Sequence, residues 1–191
     1  MTPHTPLAPD RLPPSAEELI AHLQMEKIPD EGCWFALTYR SADPLSAATL
    51  PLRYGSAARV AGSSIYALVT NTDFSAMHRL LTDEIWHFYA GEPLELLLLH
   101  PDERGEIIIL GPDLLAGQHP QFMVPHGTWM GARPLSKSPA AYTLFGNTLA
   151  PGFAYTDFEI GWRDELQNAY PKFTNKITDL TREEFSKRPL I

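Results

Sequence analysis

Cysteine is nearly missing from this sequence. Cys33 stands alone among 191 residues, so no intrachain disulfide and no Cys-rich zinc site can form. Long apolar runs are missing too: the most apolar stretch of note, Leu94–Leu99, is far too short to cross a bilayer, so no membrane partner is expected. Positive charge is in deficit, with 15 Lys+Arg against 23 Asp+Glu and a formal charge of −8. An acidic chain pairs poorly with a phosphate backbone, and no nucleic-acid partner is expected. Neither common Gly-rich phosphate loop occurs, nor a G-x-S-x-G elbow, nor an H-E-x-x-H pair, which removes the usual nucleotide-loop, hydrolase-elbow and zincin signatures. No repeat of 20–50 residues is visible, which argues against propellers and solenoids. The first 14 residues hold five prolines and no apolar core. They read as a flexible or extended arm rather than a secretory signal, and the expectation is a cytoplasmic protein with one domain over residues 15–191.

What is present is ordinary for a globular domain, with 44% apolar and 20% charged residues. Ser15-Ala16-Glu17-Glu18 is a capping box. Ala16, Leu19, Ile20 and Leu23 follow it at helical spacing, so the chain opens with an amphipathic helix that Pro29 and Gly32 close. From Trp34 the pattern changes to short strands: Trp34–Arg40, Ser64–Thr70, Ser75–Leu81, Glu84–Ala90, Leu94–His100, Glu106–Leu110, Gln121–Val124, Thr128–Arg133 and Tyr142–Leu149. Turn residues separate them, and many short strands at such spacing point to a sandwich or barrel. Residues 41–62 carry few strand signals and read as a long loop with at most one edge strand. Helical signals return at Asp164–Tyr170 and in a second capping box at Thr181-Arg182-Glu183-Glu184.

The segment richest in chemistry runs from Phe74 to Gly91. Glu84 and His87 would share a face on a helix, as in di-metal bundles. This segment reads as a strand, where residues three apart point to opposite faces. Glu84, Trp86 and Phe88 then share one face, and Ile85, His87 and Tyr89 the other.

His78, Glu84 and Gly91 stand at the spacing of the first cupin motif, G-x5-H-x-H-x3,4-E-x6-G. Pro125-His126-Gly127-Thr128-Trp129-Met130 echoes the second, G-x5-P-x-G-x2-H-x3-N. Together with Asp83–Gly91 (DEIWHFYAG) and Ala150–Phe153 (APGF), these residues make the chain resemble the cupin superfamily. Within it, the resemblance is to a small branch of unknown function whose members are often labelled predicted sugar epimerases. The resemblance implies an all-β double-stranded β-helix (jelly roll) with helices at both ends. It also implies His78 and Glu84 pointing into the barrel and a homodimer. Two of the family's metal-ligating histidines are absent: Leu80 and Met130 occupy their positions, and hydrocarbon and thioether are poor substitutes for imidazole. No metal and no cofactor are therefore expected.

The resemblance further implies proton-transfer chemistry on a small-molecule ligand, carbohydrate-like or nucleotide-sugar-like. His78 would be the base, Glu84 would orient or tune it, and Tyr66, in the apolar strand Ile65–Val69, is the candidate acid. Trp86 shares the inner face with Glu84 and is a candidate pocket wall. Trp129 can stack on a sugar ring or base, or pack in the core, and both readings stand. His126 and Met130 complete the candidate ligand-binding set. Three functions stay open: a metal-independent epimerase or isomerase, a non-catalytic binding protein, and a metal-dependent oxygenase or isomerase using His78, Glu84 and His126.

Overall fold

The computed structural model of the chain describes residues 13–189. The expected arm over residues 1–14 lies outside the described residues except for Pro13 and Pro14, which are irregular. The first helix, α1 (Ala16–His22), starts where the capping box places it. The Ser15 hydroxyl accepts from the Glu18 amide at 3.2 Å, and Glu18 Oε2 accepts from the Ser15 amide at 2.8 Å.

The strands follow in chain order among the described residues: β1 (Glu26–Lys27), β2 (Trp34–Arg40), β3 (Pro44–Leu45), β4 (Arg59–Val60), β5 (Ser63–Thr70), β6 (Ser75–Leu80), β7 (Glu84–Gly91), β8 (Leu94–Leu99), β9 (Gly105–Leu110), β10 (Gln121–Val124), β11 (Trp129–Pro134), β12 (Tyr142–Leu149) and β13 (Phe158–Ile160). A six-stranded sheet has the order β1-β2-β5-β12-β7-β10, and a five-stranded sheet the order β13-β6-β11-β8-β9. All their strand pairs are antiparallel. The inner faces of the two sheets meet in one apolar core that includes Leu80, Trp86, Leu94, Leu96, Leu98, Met130 and Phe145. This is the jelly roll expected of the sequence. The nine expected strands all form, with ends shifted by one residue at most.

Two regions differ from expectation. Residues 41–62 hold the short β3–β4 pair and two 3-10 turns, and the segment is pinned by a buried Arg59–Asp157 ion pair. At the other end, Thr181 does not cap a helix. Its hydroxyl donates to the Ile177 carbonyl at 2.7 Å and accepts from Arg163 Nε at 2.8 Å, and a 3-10 turn (Glu183–Phe185) follows without a side-chain cap. The hydroxyl was taken by the preceding helix.

That helix, α3 (Thr174–Asp179), and α2 (Arg163–Ala169) lie on the outer face of the five-stranded sheet. Leu166, Tyr170, Ile177 and Leu180 pack there on Met77, Leu97 and Leu99. The run Leu94–Leu99 is explained by this arrangement. Leu94, Leu96 and Leu98 fill the inner core, while Leu97 and Leu99 are covered by the helices, so both faces of β8 are buried. α1 covers part of the other sheet's outer face through Leu68, Tyr142 and Trp34. No helix among the described residues is long and apolar enough to cross a membrane.

Candidate functional site

A cavity of about 350 Å³ opens between the sheets at the end where β6, β7 and β12 carry polar residues on their inner faces. His78 on β6 and Glu84 and Trp86 on β7 line it, as strand alternation requires. Asn147 lines it from β12, between the inward Phe145 and Leu149 of the core. Phe35, Phe153 and Phe158 supply aromatic wall. Leu37, Arg40 and Tyr155 are the exposed members of the lining and mark its mouth.

His78 is 4% exposed. Its Nδ1 lies 2.8 Å from the Ala76 carbonyl, and a carbonyl can only accept, so Nδ1 carries the proton in the neutral ring. Nε2 therefore keeps its lone pair. The ring stacks on Phe158, with centroids 5.4 Å apart, which fixes its plane. Glu84, 6% exposed, accepts a 3.0 Å hydrogen bond from the Trp86 indole. Burial lifts its carboxyl to about 7, with neighbouring Glu31 adding to the lift while His78 and the Trp86 N–H oppose it.

Glu31 and Cys33 come from the turn before β2, where the sequence signals only the end of a helix. Glu31 Oε1 accepts from Ser75 Oγ at 2.7 Å and from the Cys33 thiol at 3.1 Å, and Oε2 lies 3.9 Å from His78 Nε2. Burial, reinforced by Glu31, pushes the Cys33 thiol well up, so it stays a neutral donor. The turn is clamped from the C-terminal segment: Arg182 donates to the Glu31 and Phe74 carbonyls at 3.1 and 2.9 Å. Gly32 lies under the guanidinium at φ +84°, and a side chain there would strike Arg182.

The structure thus brings His78, Glu84 and Trp86 together and leaves the other sequence candidates elsewhere. Tyr66 points to the outer face, 38% exposed, with its ring edge-on to Tyr89. The residues flanking it on β5 face inward, and Tyr66 itself stands over Gly146, whose missing side chain makes room for Tyr89. His126 is exposed and paired with Asp83 at 2.8 Å, away from the cavity lining. Trp129 faces the helical layer under Arg79, 4.4 Å from its ring centroid. Met130, its neighbour on β11, points inward but is buried in the apolar core rather than on the cavity wall. Alternation on a strand allows only one of these two neighbours to face inward.

A metal would need donors that are not assembled here. Among the described residues no three His, Cys, Asp or Glu side chains are placed to hold an ion. Leu80 and Met130 fill the core where the motif has imidazoles, so the donor set does not fit and no step is derived through a metal.

Three comparisons bear on this site. The model of a family described as "Cupin superfamily (DUF985)" matches residues 17–161. A crystal structure of a protein from Shewanella oneidensis is 32% identical, covers 88% of this chain and 98% of its own, and superposes with a TM-score of 0.76. A hypothetical protein from Leishmania major is 29% identical, covers 89% of this chain and 100% of its own, and superposes with a TM-score of 0.78. No curated protein matches the sequence.

Proposed function

The chain belongs to the cupin superfamily, in the family DUF985, and from that premise we propose that it acts on a small polyhydroxylated carbonyl compound as a metal-independent epimerase or isomerase, with His78 as the base. The observation that carries this reading is the pairing, in one cavity, of a histidine with a free Nε2 lone pair and a carboxyl lifted to about 7. A base with a free lone pair and an acid that still holds a proton near neutrality are what proton removal and return next to a carbonyl require.

In the proposed step Nε2 takes the proton from the carbon beside the ligand's carbonyl. The C–H electron pair moves into the new C=C bond, and the carbonyl oxygen takes the charge. Glu84, carrying a proton for much of the time near pH 7, supplies the returning proton in place of Tyr66. The cavity volume lies at the small end of ligand pockets, roughly 300–1,000 Å³, and suits one sugar ring. A nucleotide-sugar would leave its nucleotide outside, past Tyr155 and Arg40. The aromatic walls suit the C–H faces of a sugar.

The test is solvent exchange. Ketoses and keto-sugar nucleotides are incubated with the protein in D2O, and deuterium entering the carbon beside the carbonyl is followed by NMR. Exchange is expected with the wild type and not with His78→Gln. One observation favours a second reading, in which the cavity binds such a ligand without turnover: Glu31 Oε2, 3.9 Å from Nε2, stands where a substrate carbon would have to approach. Tight binding with no exchange in the wild type decides for that reading.

We also propose that two copies pair through the bare part of the six-stranded sheet's outer face, where Tyr66, Tyr89 and Met123 are exposed.

A further inference from the structure

Asn147 is 4% exposed, and its side-chain Nδ2 is buried without a hydrogen-bond partner among the described residues. Its cross-strand neighbours explain why. On one side stands Trp86, whose polar atom is a donor already given to Glu84, and on the other stands Ile65, which is hydrocarbon. Neither of these direct neighbours can accept from the amide. A buried donor left alone destabilises a fold, and a leucine or valine would fill the same inward position without that cost. The position lies on the cavity wall that also carries His78 and Glu84.

We propose that Asn147 reads the carbonyl oxygen of the ligand, and so selects carbonyl compounds over their alcohols. This rests on the epimerase or isomerase reading above for the substrate class and adds the group that recognises it. Four other interior donors are committed: Cys33 and Ser75 to Glu31, Trp86 to Glu84, and Ser64 to the Asn147 backbone carbonyl. The Glu31 carboxylate accepts from a hydroxyl, whereas Asn147 offers an N–H to an oxygen that has no proton of its own. When His78 removes the neighbouring proton, negative charge grows on that same oxygen. A fixed N–H in a cavity of low polarity holds the charged form more strongly than the neutral one.

The test uses three proteins, the wild type, Asn147→Leu and Asn147→Asp, and two readouts that do not involve turnover. The first is the melting temperature without ligand. Asn147→Leu removes the unpartnered donor at nearly constant volume and is expected to melt at or above the wild type. A melting point several degrees lower would show that the amide holds the fold, and would overturn the inference. The second is a tryptophan-fluorescence titration with D-xylulose and dihydroxyacetone, set against xylitol and glycerol as their reduced forms. The wild type is expected to prefer each ketose, and both variants to lose about tenfold or more of that preference, a change of about 1.4 kcal/mol. Equal binding of ketose and alditol by the wild type, or a preference that survives in Asn147→Leu, overturns it. A wild type that binds ketoses through Asn147 yet exchanges no deuterium leaves this inference standing and rejects the catalytic reading.

Discussion

Burial lifts the Glu84 carboxyl from an ordinary 4.5 to about 7, and that difference is also a statement about stability. The folded protein holds a proton that the unfolded chain has released between those two values. The contribution of Glu84 to stability is therefore greatest below about 4.5 and is lost as pH rises through 7, by about 3 kcal/mol in all. Glu84→Gln keeps the shape and removes the titration. Denaturant unfolding at pH 5 and pH 8 is expected to show a drop in the wild type that is smaller by about 3 kcal/mol in the variant. An unchanged drop would mean that Glu84 is not the group responsible. His78 and Glu84 were legible through the motif spacing, and Trp86 through strand alternation from Glu84; all three face inward. Tyr66 faces outward by alternation too, since its neighbours Ile65 and Ala67 on β5 face inward. Asn147 had a readable signal, a polar residue between inward Phe145 and Leu149. Glu31 had none, because a turn has no period and its partner Arg182 is distant in sequence.

Among the elements, the strands of four or more residues were legible, and those of two or three residues were not. β1, β3, β4 and β13 offer too few positions for a period to show. The helix α3 was hidden because Thr174–Asp179 is short and lies against α2, so packing on Met77 and Leu97 decides it rather than its own sequence. The C-terminal segment after α3 has a defined task, since Arg182 ties the Glu31 turn to the start of β6 and lies 4.3 Å over the Phe74 ring. Arg182→Ala is expected to cost about 2 kcal/mol in chemical denaturation, the scale of a charged hydrogen bond lost to a carbonyl. It should also weaken ligand binding by freeing Glu31. A variant as stable as the wild type would show that the clamp adds nothing.

At the scale of the molecule, each sheet has an inner face sealed in the common core, but the outer faces are treated differently. The five-stranded sheet is covered by α2 and α3, and the six-stranded one is covered only in part, by α1. The uncovered part carries Tyr66 and Tyr89, 38% and 47% exposed, beside Met123. Sedimentation equilibrium is expected to give twice the chain mass of 21.3 kDa, and Tyr89→Lys is expected to move the protein to monomer, because a desolvated charge in an apolar contact is costly. A monomeric wild type removes the dimer proposal. The fold class was legible at this scale because strand pattern and motif spacing agree across most of the chain. The clamp on Glu31 was not, since it joins residues 151 positions apart. That separation sets an order of assembly: on the ribosome, both sheets' strands are already made before the residue that fixes this wall of the cavity is added. A nascent chain stalled before Arg182 would lack the guanidinium that holds the Glu31 turn beside His78.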